Sequence, residues 1–162
     1  MHFNTIVEVA KLIQSKQLSP IELTQMQLER IQQWDPHLKS YATLMAGQAM
    51  DTARQAEAEI MSGHYRGPLH GVPIAVKDLC YTRGVRTMGG AQVKVDHVPN
   101  HDATVVQKLA GAGAILLGKL NLTEGAMGGY NPAFPIPINP WHPERWTGSS
   151  SSGSGVATAS GI

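Results

Sequence analysis

A lysine and a run of serines carry the chemistry open to this chain. Lys77 closes the segment Gly71-Val-Pro-Ile-Ala-Val-Lys-Asp78, in which the stretch from Val72 to Val76 is apolar. Far downstream, Thr147-Gly-Ser-Ser-Ser-Ser-Gly-Ser-Gly155 sets hydroxyls on a backbone too small-sided to pack a core. A free lysine holds its proton up to about pH 10.4. Burial disfavours the charged form, and a neutral amine can then take a proton from a hydroxyl. A serine needs such a base to attack or to relay. The pair therefore suggests a lysine–serine hydrolase. Each half also has a plainer reading. A lysine after an apolar run commonly marks where a strand reaches water, and a serine run is commonly a flexible loop. Against a free linker, Asn139-Pro-Trp141 and Trp146 precede the serines and Val156-Ala-Thr-Ala follows them. Small residues between packed segments let backbone approach a ligand or adopt unusual dihedrals.

The elements that must position these groups are legible in outline. Residues 1–66 read as a helical segment packing on the core. Thr5 and Glu8 form a capping box ahead of Ile6, Val9, Ala10, Leu12 and Ile13. Ser19-Pro-Ile-Glu22 is a second start, a cap followed by proline at the first helical position. That helix carries Leu23, Met26, Leu28 and Ile31 and is expected to stop before Pro36. A short strand is expected within 39–45 and a polar, alanine-rich helix over 48–61.

From residue 67 to 162 the order becomes strand, loop, helix, strand: a strand core over 74–76, a long loop over 83–100, and a helix over 102–112 with Val105, Val106 and Leu109 inward. A wholly apolar strand, Ala114-Ile-Leu-Leu-Gly118, comes next. This order argues for an α/β fold with a sheet covered on both faces. Five prolines between Pro132 and Pro143 demand an irregular loop, and residues 155–162 read as the start of a small-residue helix.

Several functions are excluded or disfavoured. A formal charge of +1, with 13 Lys and Arg against 12 Asp and Glu, gives no electrostatic footprint for nucleic acid or membrane. The single cysteine, Cys80, excludes an internal disulfide and reads as an inert packed thiol in a reducing, cytoplasmic setting. Gly113-Ala-Ile-Leu-Leu-Gly-Lys119 imitates a phosphate loop. Leu120, however, stands where Ser or Thr must meet magnesium, and the intervening residues are strand-like. His97 and His101 are separated by Pro99, and His64, His70 and His142 are scattered, so no metal is expected.

Taken in order, the segments resemble the amidase signature family. Gly67-Pro-Leu-His-Gly-Val-Pro-Ile-Ala-Val-Lys-Asp78 looks like its lysine segment, and Gly84-Val-Arg-Thr-Met-Gly-Gly90 like the loop that follows. Asp102-Ala-Thr-Val-Val106, Gly111-Ala-Gly-Ala-Ile-Leu-Leu-Gly-Lys-Leu-Asn-Leu122, Asn139-Pro-Trp141 and the serine run complete the series.

The resemblance implies the N-terminal portion of the amidase-signature fold, a mixed sheet covered by helices and incomplete at the C-terminus. It implies a Ser–cis-Ser–Lys mechanism on linear amides, with Lys77 as base and Ser150 as the bridging serine. A one-residue slip would choose Ser151. The cis bond would precede Ser150, and such a bond costs about 3 kcal/mol outside proline. Ser149 and Ser152 stand where the family has glycine, and Thr147 where proline is common. Met127, Gly128, Gly129 and Tyr130 would line the substrate pocket, and no cofactor is implied.

The family's nucleophilic serine would lie past Ile162, so the isolated chain is expected to be inactive. The related A chain of the glutamyl-tRNA amidotransferases is the other family member in view. Departures at Lys119-Leu-Asn121 and over 121–132 favour a free-standing amidase over that tRNA-linked relative. The expected partner is a small-molecule amide, with no direct nucleic acid or membrane contact. A homodimer stays open, as does a catalytically inert product.

Overall fold

The computed structural model describes residues 3–162. Helix α1 (Ile6–Gln14) starts at Thr5, whose hydroxyl accepts from the Glu8 N–H while the Glu8 carboxylate accepts from the Thr5 N–H. Helix α2 (Pro20–Leu38) starts at Ser19, whose hydroxyl accepts from Ile21 and Glu22 N–H groups. Strand β1 (Tyr41–Leu44), helix α3 (Ala46–Met61) and strand β2 (Pro73–Lys77) follow. Helix α4 (Thr104–Gly111), strand β3 (Ile115–Leu120) and helix α5 (Ser152–Ser160) complete the order, with short 3₁₀ turns at Gln92–Lys94 and Glu124–Ala126.

The sheet runs β1-β3-β2, with β3 parallel to β2 and antiparallel to β1. This is a mixed α/β sheet packed by helices, and the early segment contributes β1 to it. Leu28 and Ile31 of α2, Ala49 and Ala53 of α3 and Ala157 of α5 close on Ile115, Leu117 and Leu120 of β3 in one core cluster. Val9 and Ile13 of α1 join Leu18, Leu23, Ile60 and Val72 in a second. No described helix is long and apolar enough to cross a membrane.

Two expectations need correction. Helix α2 does not stop before Pro36 but runs through it to Leu38. A proline in the last turn forfeits a single backbone bond. The Asp35 carboxylate then gathers the Ser40 N–H at 2.7 Å and the Tyr41 N–H at 3.2 Å, which fixes the exit. Val105 does not point inward; it is 47 % exposed while Val106 is buried. One residue is about 100° around a helix, so on this two-turn helix only the side including Val106 and the half-buried Leu109 meets the protein.

Candidate active site

Because β2 and β3 are parallel, their carboxyl ends lie side by side, and in open α/β sheets that edge is where ligands bind. Lys77 is the last residue of β2, opposite Leu120 of β3. Beyond β3, the Asn121 N–H donates to Ser40 O at 2.8 Å, and Asn121 O accepts from the Gly153 N–H at 3.0 Å. That second bond draws the serine turn and the start of α5 onto the strand end. Gly153 has to be glycine. A Cβ there would sit 2.5 Å from Asn121 O and 2.6 Å from Ser40 O, both backbone atoms that cannot step aside.

The result is a direct contact across the sequence. Lys77 Nζ donates a hydrogen bond to Ser150 Oγ and a second, 3.1 Å long, to Ser151 Oγ. Ser151 occupies the N-cap position of α5, where serine ordinarily accepts from its own helix. Here its side chain makes no such cap bond. Its hydroxyl faces the lysine instead. The two candidate bridging serines thus both reach the amine.

The described peptide bonds are all trans, including the one before Ser150. This departs from the cis bond that the resemblance implies. Trans is favoured by about 3 kcal/mol at a non-proline position unless neighbours enforce cis, and the exposed Ser149 has no such packing.

The residues at 127–130, expected to line the substrate pocket, lie on a turn after β3. Met127 is 74 % exposed on a turn held by Thr123 Oγ1 donating to Met127 O at 2.5 Å. The Glu124 N–H donates to Gly129 O at 2.7 Å. Gly128 bridges these two anchors. The Tyr130 ring meets Trp146 edge-on at 5.5 Å, and its hydroxyl lies 3.4 Å from Thr147 Oγ1. Tyr130 therefore touches the loop leading into the serine turn.

Sequence reasoning passed over a second lysine. Lys119, beside Val76 in the β2–β3 register, is fully buried. Its Nζ donates to Thr87 Oγ1 at 2.6 Å and lies 3.3 Å from Asp78 Oδ1. Burial holds the Lys119 ammonium below its usual range, partly offset by the Asp78 charge. Burial likewise pushes the Asp78 carboxyl up, against the pull of the Met88 N–H and Lys119. The available signal was a lone cation in an apolar strand, which must either surface or find an acid. Cys80 is half-buried with a free thiol, and among the described residues no cluster of His, Cys, Asp and Glu could hold a metal ion.

Similarity to known proteins identifies the family. A family model described as Amidase matches residues 22–162. The chain is 54 % identical over 157 residues to "Putative amidase AmiD" of Mycobacterium tuberculosis, covering 97 % of this chain and 33 % of that protein. It is 44 % identical over 158 residues to the A chain of the glutamyl-tRNA(Gln) amidotransferase of Trichodesmium erythraeum, covering 96 % of this chain and again 33 % of the relative's length. Among solved structures, the native peptide amidase of Stenotrophomonas maltophilia superposes with a TM-score of 0.88 at 31 % identity, over 95 % of this chain and 33 % of that one. The chain spans about a third of the length of the curated relatives it matches.

Proposed function

This chain belongs to the amidase signature family, and on that premise we propose that it supplies the base and the bridging serine of a cytoplasmic amide-bond hydrolase. The observation carrying the proposal is the hydrogen bond from Lys77 Nζ to Ser150 Oγ, made between residues at the ends of different elements. With the amine in its neutral form, Ser150 passes its proton to Lys77 and takes one from an attacking serine outside these 162 residues. That serine's oxygen bonds to the amide carbonyl carbon, and collapse of the tetrahedral adduct breaks the C–N bond. The proton held by Lys77 returns through Ser150 to the leaving amine. Water then releases the acyl group along the same path.

Ser150 is the proposed bridge, and Ser151 supports the amine from the side. In the full-length protein, Lys77→Ala and Ser150→Ala should each lower p-nitroacetanilide hydrolysis by at least about a hundredfold. Ser151→Ala should cost less than about tenfold. If Lys77→Ala kept parent turnover the assignment would be overturned; if Ser151→Ala were the more damaging serine change, the bridge would move by one residue. Met127 to Tyr130 are proposed to line the substrate side, supported by the exposed Met127 and the Tyr130 contact with the serine loop. Met127→Ala should raise KM with kcat nearly unchanged.

A second reading, the tRNA-linked amidotransferase, has the similarity to that enzyme's A chain behind it. The higher identity to AmiD supports the free-standing enzyme. Co-purification of partner chains separates the two.

A further inference from the structure

The reaction proposed above makes no use of the buried Lys119–Asp78 pair, and stability alone does not account for it. Exchanging a buried ion pair for apolar groups of similar volume is often neutral or favourable, and the best-attested use of such a pair is to fix register. The local structure shows what needs fixing. The β2–β3 ladder slips between Ile74 and Ala75, so the regular pairing that starts at Pro73 does not by itself set the register at Lys77. Successive strand residues face opposite ways, and a shift of one would exchange Lys77 for Asp78 at the serine turn.

Asp78 is held on every side. Its N–H donates to Leu120 O at 2.9 Å, its carbonyl accepts from the Gly89 N–H at 2.9 Å, and its Oδ2 accepts from the Met88 N–H at 2.9 Å. Its other carboxylate oxygen, Oδ1, faces Lys119 on β3, which is itself fastened to Thr87. We propose that the Asp78–Lys119–Thr87 network is the register lock that aims Lys77 at Ser150, acting as a positioning device with no contact to the reacting atoms. Its catalytic consequence rests on the reaction proposed above, while the lock itself is measurable without any substrate.

The decisive variant is Asp78→Asn/Lys119→Met, which removes both charges and leaves no orphan ion. In the full-length protein it should melt near the parent temperature. Hydrogen exchange at the end of β2 and at residue 78 should nonetheless accelerate by at least about tenfold. Hydrolysis of p-nitroacetanilide, expressed per folded molecule, should lose about a hundredfold in kcat with KM within a few-fold. Parent exchange together with parent kcat in the double variant overturns the lock, because a purely structural pair would return both along with stability. Should the double variant fail to fold, Thr87→Val, which removes only the hydroxyl holding Lys119, decides. It should open the same amides and lower kcat by about tenfold, and parent values in both overturn the proposal. Lys77→Ala run in parallel keeps the two questions apart. If that variant retains turnover the hydrolytic reading fails, and the exchange data alone judge the lock.

Discussion

The two parallel strands β2 and β3 have polar machinery at both ends, and the ends differ in the kind of partner they offer. At the amino end, His70 precedes β2 and Gly113 precedes β3, joined by the Gly71 N–H donating to Gly113 O. His70 is fully buried, its Nδ1 accepts from the Arg66 N–H at 3.0 Å, and its Nε2 lies 3.2 Å from Glu59 Oε2. Arg66 in turn forks onto Glu59 at 2.6 and 2.8 Å. Every charge there has an opposite charge, and a side chain at Gly113 would collide with the His70 ring. At the carboxyl end Lys77 meets two hydroxyls and no carboxylate. A carboxylate partner locks a charge in place, whereas a hydroxyl can exchange a proton. The amino end is built on matched charges, and the carboxyl end places an amine against hydroxyls.

Lys77 and Lys119 carry the same contrast within the carboxyl end, and breaking it should give the largest effect. Asp78→Ala leaves Lys119 as an uncompensated buried cation and should cost about 3–5 kcal/mol in urea unfolding. Lys77→Ala, at a half-exposed position with hydroxyl partners, should cost less than about 1 kcal/mol. Near-equal losses would show that the two lysines do not play different parts.

Next in size is Gly153→Ala. The new methyl group must displace Asn121 or Ser40 backbone, so overpacking should cost about 1–3 kcal/mol. Since Gly153 fastens the serine turn to the end of β3, Ser150 should also withdraw from Lys77 and hydrolysis should fall with stability. A variant of parent stability and activity would mean that the turn is held elsewhere.

How much of this was legible depended on range. Thr5–Glu8 and Ser19-Pro20 announce their helices because a cap is a local device, complete within four residues. Lys77 and the serine run stand out as residue types in unusual surroundings. Lys119 did not, because its meaning lies in Asp78 and Thr87, which only the fold brings near. Read by itself, Gly113-Ala-Ile-Leu-Leu-Gly-Lys119 imitates a phosphate loop. The end of α2 is hidden for the same reason, since Asp35 receives donors that lie past the helix. The geometry uniting Ser150 with Ser151 was also hidden, because a run of identical residues carries no register.

A smaller effect tests the amino end through pH. Burial holds His70 below its ordinary range, with Glu59 opposing and Arg66 and His64 reinforcing that shift. The folded protein therefore keeps this ring neutral while the unfolded chain takes up a proton. Its contribution is present above about pH 6.5 and lost as pH falls below it. Urea midpoints from pH 8 to 5.5 should decline in the parent and decline less in His70→Gln. Glu59 does not interfere, because its hydrogen bonds with Arg66 hold its carboxyl below the usual carboxylate range and outside that window.

The last prediction separates neighbours within the serine run. The Ser150 and Ser151 hydroxyl oxygens accept from Lys77, but Ser152 is 1 % exposed and its Oγ finds no partner among the described residues. A buried hydroxyl without a partner carries its desolvation cost uncompensated, and serine is a weaker helix former than alanine at the start of α5. Ser152→Ala should therefore raise stability by about 1 kcal/mol and leave the Lys77 contacts intact. A thermal melt decides the sign. Destabilisation would mean that this hydroxyl has a bonded partner, and the serine turn would then act as one hydrogen-bonded unit instead of two residues bonded to Lys77 beside a third whose hydroxyl only adds cost.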